Sequence, residues 1–192
     1  MGILETLLKI GKAVIDNGAK TTVKGPTWKE RVITVEGLPK NLEELKALQG
    51  AGLQDEYYTA ALAVVALCNY KVDKEATYEM LNFLKGPEPL NVANKQFLTD
   101  CLGGKEYIPY SFLSGTSPQN NYVPVEPYRV TVSANPYSYT DENRATLYLT
   151  SSGADSRRPI TLRRKPSTGQ WFLTTFSFLG SIRIPAAEDR WS

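Results

Sequence analysis

Apolar side chains recur at helical spacing from the start of the chain, at Ile3, Leu4, Leu7, Leu8, Ile10, Val14 and Ile15. Glu5, Lys9, Lys12 and Asp16 take the opposite face, and Gly18 lies just past the last turn. This pattern predicts an amphipathic helix over residues 1–17, separable from the rest of the chain. Arg31-Val-Ile-Thr-Val-Glu36 is a β-branched run closed by Gly37 and Pro39, which predicts a short strand. Asn41, three residues before Glu44, opens a short helix through about Leu48, and Gly50-Ala-Gly52 breaks it. Asp55 starts a helix that buries Ala60, Leu62, Val64, Val65 and Leu67. Asp73 caps another, carrying Tyr78, Met80, Leu81, Phe83 and Leu84 and ended by Gly86-Pro87. A further helix runs from about Val92 to Leu102 and stops at Gly103-Gly104.

Beyond Lys105 the period shortens to two. Strands are predicted at Tyr128–Ser133, Ala145–Thr150, Pro159–Lys165, Gln170–Phe176 and Ser181–Ile184. Pro166-Ser-Thr-Gly169 and Ser151-Ser-Gly-Ala-Asp155 supply the turns. The reading is α+β: a mainly helical region over 1–105 with four or five helices, then an antiparallel β-meander of four to six strands over 106–192, together in one compact unit. Between them, Tyr107–Tyr139 holds six of the eleven tyrosines. That stretch either pins a long loop over the core or recognises peptides or sugars.

Composition narrows the chemistry. The 192 residues are 42% hydrophobic and 22% charged, as in a soluble globular protein, and include no histidine. Every Ser-His, Cys-His and His-metal mechanism is thereby excluded. No Gly-x-Ser-x-Gly elbow, Ser-x-x-Lys pair, phosphate loop or dinucleotide fingerprint occurs. Cys68 and Cys101 are too few for a disulfide framework or a structural zinc site, and both read as buried free thiols. No cofactor and no metal are expected. The adjacent acids Glu43/Glu44, Asp55/Glu56 and Asp141/Glu142 leave a carboxylate-dependent hydrolase as one alternative. Two of these pairs open helices, where acids favour the positive end of the dipole.

The formal charge is +2, and it is unevenly built: lysines dominate up to Lys105 and arginines after it. Arg157-Arg158-Pro-Ile-Thr-Leu-Arg163-Arg164-Lys165 is the densest run. Arg157, Arg158, Arg163 and Arg164, with Tyr148 and Trp171 on flanking strands, form the candidate binding set. Arginine forks beside aromatic rings suit an anionic ligand or single-stranded nucleic acid. The competing reading is a charge-protected sheet edge, with the arginines paired to Asp155, Asp141 or Glu142.

Ser151-Ser-Gly-Ala-Asp-Ser-Arg-Arg-Pro-Ile-Thr-Leu-Arg163, Gly169-Gln-Trp-Phe-Leu173, Ile182-Arg-Ile-Pro185 and Glu188-Asp-Arg-Trp191 resemble the end of a family of uncharacterised bacterial proteins, a domain of unknown function. Members tend to begin with a short Met-Gly-(Ile/Leu) amphipathic helix, as here. The resemblance covers mainly the C-terminal third, with Gly153, Asp155 and Pro159 as its signature turn. It implies a bacterial, cytoplasmic, stand-alone protein and carries no activity, cofactor or partner with it. The combined expectation is a non-enzymatic interaction or binding module with a protein partner. Helix 1–17, its two lysines offset by two acids, is expected to dock on protein rather than on a membrane surface.

Overall fold

Helix starts follow the side chains that can replace missing backbone partners. The computed structural model describes residues 27–191. Within them, Asn41 accepts the Glu44 N–H at 2.9 Å and opens α1 (Leu42–Ala47). Asp55 Oδ1 accepts the Tyr57 and Tyr58 N–H groups at 2.8 and 3.4 Å and opens α2 (Glu56–Leu67). Asp73 caps α3 (Lys74–Lys85), and an Asn91/Asn94 capping box opens α4 (Val92–Leu102). The predicted helix over 1–17 lies outside the described residues.

Helix α2 organises the molecule. From Thr59 to Leu67 every residue is buried, so it has no solvent face and needs cover on all sides. Five strands provide one side of that cover: β1 (Lys29–Val35), β2 (Tyr128–Ala134), β3 (Arg144–Leu149), β4 (Arg158–Arg164) and β5 (Trp171–Leu173). All five touch α2, while α3 and the 3-10 turn Pro109–Phe112 also pack on it. The sheet is antiparallel throughout, in the order β1-β2-β3-β4-β5. One apolar cluster joins Leu62, Leu81 and Leu98 of the helices to Val132, Leu147 and Ile160 of the sheet.

The architecture is α+β, with four helices and five strands among the described residues. Strand β1 precedes every one of those helices yet forms an edge of the sheet, with Ile33 opposite Val130 and Val35 opposite Tyr128. Ser181–Ile184, predicted as a strand, is not one. Ser181 adopts a φ of +55°, Pro185 follows closely, and the Arg183 N–H bonds to the Gly153 carbonyl at 2.9 Å. Strands β2 and β3 are paired only at Val132–Leu149 and Ser133–Tyr148. Below that point Leu113 bridges to Val130, and the Ser114 N–H reaches the Arg129 carbonyl at 2.8 Å.

The tyrosine-rich stretch largely packs. Tyr107 stacks on Tyr122 with centroids 5.4 Å apart, and Tyr110 Oη donates to the Cys68 carbonyl at 2.8 Å. Cys68 is buried and Cys101 half-buried, and burial pushes both thiols up, away from the reactive thiolate. Among the described residues, no helix is long and apolar enough to cross a membrane.

Candidate binding groove on the outer face of the sheet

Alternation along the strands sorts their side chains between two faces. Ile33, Val130, Val132, Leu147, Leu149, Ile160 and Leu162 point to α2 and are buried. Glu30, Thr131, Tyr148 and Thr161 occupy the other face, which is more exposed. On that face the loop 151–157 and the strands β1 to β3 enclose a groove of about 780 Å³. Trp28, Glu30, Thr131, Tyr148, Thr150 and Arg157 line it, along with Asp155 and Ser156.

These side chains hold one another in place. The Trp28 and Tyr148 rings meet at right angles, with centroids 4.9 Å apart and an interplanar angle of 89°. The Arg157 guanidinium lies 4.5 Å from the Trp28 centroid, and its Nη2 donates to Glu30 Oε1. Ser133 Oγ donates to the same carboxylate at 3.4 Å. Hydrogen bonding from Arg157, aided by its charge, outweighs desolvation and holds the Glu30 carboxyl below the usual carboxylate range. Arg157 Nε is buried with no hydrogen-bond partner, as is Arg158 Nε. Asp155 pairs with Arg183.

The groove therefore unites Tyr148, Arg157 and Asp155 of the sequence-predicted residues with Trp28 and Glu30, which sequence reasoning missed. The other candidates lie elsewhere. Arg158 Nη2 donates to the Ser181 carbonyl at 2.7 Å, and Arg163 lies 3.7 Å from Glu88. Arg164 Nε reaches the Gly169 carbonyl at 3.4 Å and stands opposite Trp171. Trp171 is only 7% exposed and lies on the core side of the sheet, opposite to Tyr148. Gly153 packs against Tyr122 and Ile182, and its N–H is held by Ser151 Oγ at 3.1 Å. Pro159 sits opposite Tyr148 in the β3–β4 ladder.

Of the paired acids, Glu44 accepts the Lys40 N–H at 2.9 Å, and Asp55 also binds Arg31 at 2.8 Å. Glu56 accepts from Tyr139 Oη at 2.6 Å, and Asp141 accepts the Asn143 N–H at 2.8 Å. Among the described residues, no group of three His, Cys, Asp or Glu side chains is placed to hold a metal.

A family model described as "Domain of unknown function (DUF6935)" matches residues 37–186. The chain belongs to the DUF6935 family. The resemblance read from the C-terminal third thus extends over most of the chain, since a single match spans the helices and strands β2 to β5 alike. No curated protein and no solved structure matches it. Within the DUF6935 match fall Tyr148, Arg157 and the loop between them, whereas Trp28 and Glu30 precede its first residue, Gly37.

Proposed function

We propose that this DUF6935 protein is a non-catalytic binding module whose recognition site is the outer-face groove. The observation that carries this reading is the Trp28–Tyr148–Arg157–Glu30 cluster, in which each side chain is oriented by another before any ligand arrives. Such ordering lowers the cost of binding, because less side-chain freedom is lost on association. The volume is in the range of small-molecule sites. A hydrolase reading has less support, since at least one acid of each adjacent pair is engaged in a cap or a hydrogen bond. An arginine-based site for polyanions also has less, since the four arginines point to four different partners.

The reading is tested by amide chemical-shift mapping of the full chain against four probe classes: neutral oligosaccharides, nucleotides, short peptides and inorganic phosphate. At least one class is expected to shift the amides of Thr131, Tyr148, Thr150 and Arg157, and Tyr148→Ala to move the midpoint of those shifts to higher ligand concentration. Shifts nowhere in the groove with any class would overturn it.

A further inference from the structure

Resting on that reading, we infer that the ligand of the groove is a neutral saccharide segment. Three features of the lining converge on this class. The first is charge. Glu30 and Arg157 neutralise each other, and the other acid of the lining, Asp155, is neutralised by Arg183. A phosphate chain would meet two carboxylates and one guanidinium already committed, which disfavours it. A cationic ligand would meet no unpaired carboxylate.

The second is the floor. It consists of the interior of the sheet, where β1 pairs with β2 along Lys29–Val35 and β2 pairs with β3 at Val132 and Ser133. The backbone groups between these strands are used in the ladder, so a ligand seated on the floor meets side chains there. Recognition has to run through side chains. Those available are the hydroxyls of Thr131, Thr150 and Ser156, with the planar carboxylate and guanidinium of Glu30 and Arg157. Adjacent sugar hydroxyls present donor and acceptor pairs at a spacing that such planar groups bridge.

The third is the aromatic corner. The Trp28 and Tyr148 rings, set at 89°, both line the groove, and the apolar C–H side of a pyranose ring packs on aromatic side chains. Together these give a ligand that is uncharged, rich in hydroxyls and apolar on one side.

The test is a glycan array probed with the full chain, followed by calorimetric titration of the best neutral binder at about 0.05 and about 0.5 M salt. Binding is expected to change little with salt, to weaken about tenfold in Tyr148→Ala, and to weaken severalfold in Glu30→Gln. Arg163→Ala, on the outer face but away from the lining, should bind as the parent does. Glu30 is half-exposed, so Glu30→Gln keeps the test open if Tyr148→Ala fails to fold. Binding confined to sulfated or phosphorylated glycans and lost with salt would overturn the inference, as would neutral binding indifferent to both variants. Groove shifts produced by another probe class, with no glycan bound, would overturn the saccharide and leave the binding module standing. No shifts from any class would remove both.

Discussion

At Gly153 a missing side chain holds two segments together. A Cβ there would lie 2.3 Å from Tyr122 Oη and 2.6 Å from Ile182 Cγ2. Tyr122 Oη donates to the Arg183 carbonyl at 2.8 Å, while the Gly153 carbonyl takes the Arg183 N–H at 2.9 Å. Gly153→Ala is therefore expected to destabilise by about 1–3 kcal/mol in urea denaturation, since neither neighbour can retreat without losing a bond. The same tyrosine predicts an alkaline limit. Burial pushes Tyr122 and Tyr110 up to about 12, whereas tyrosines in the unfolded chain ionise near about 10. In that window the unfolded state has lost protons that the folded state keeps, so stability falls as pH rises from about 10 through about 12. Denaturation midpoints taken across that range should decline, and Tyr122→Phe should soften the decline.

Elements show what alternation can and cannot tell. Asp55 followed by an apolar run locates α2, because a cap and an unbroken hydrophobic stretch are both local signals. Strand β1 is equally readable as a strand, but nothing within Lys29–Val35 names its neighbour. Pairing with β2 is settled by packing between segments far apart in the chain. The arginine run misleads for a related reason. Successive strand residues face opposite ways, so Arg163 and Arg164 never share a surface, and Trp171 follows Leu173 to the core side while Phe172 takes the other. Trp28 and Glu30 carry no local mark of function at all. They join Tyr148 and Arg157 only because β1 lies beside β2. Turn chemistry is more dependable: Gly86 ends α3 at a φ of +58°, where a Cβ would meet the Phe172 ring at 2.3 Å. Gly86→Ala is expected to cost about 1–3 kcal/mol, by strain and by displacing β5, and to lower the thermal midpoint.

At the scale of the molecule, the matched family region and the folded unit differ at one end. The match begins at Gly37, yet Ile33 and Val35 of β1 are 3% and 5% exposed and belong to the core. A chain starting at Gly37 would lose both and open the edge of β2. It should be less stable than one starting at Thr27 by on the order of 3–6 kcal/mol. Light scattering should show it self-associating, as unpaired strand edges do. Urea unfolding of the two truncations side by side checks the first expectation, and loss of groove-directed binding in the shorter chain would accompany it.

The place of β1 also bears on the order in which the protein is made. Translation delivers Lys29–Val35 before any of the four helices, and its partner Tyr128–Ala134 after all of them. Strands β2 to β5 find their neighbours across short connections as they emerge. Strand β1 must wait, and the loop it closes spans the whole helical layer, which makes its docking slow relative to the meander. A nascent chain halted before Tyr128 would hold Val32, Ile33 and Val35 with no sheet to receive them. Ribosome-bound intermediates of that length are where a chaperone would be needed most.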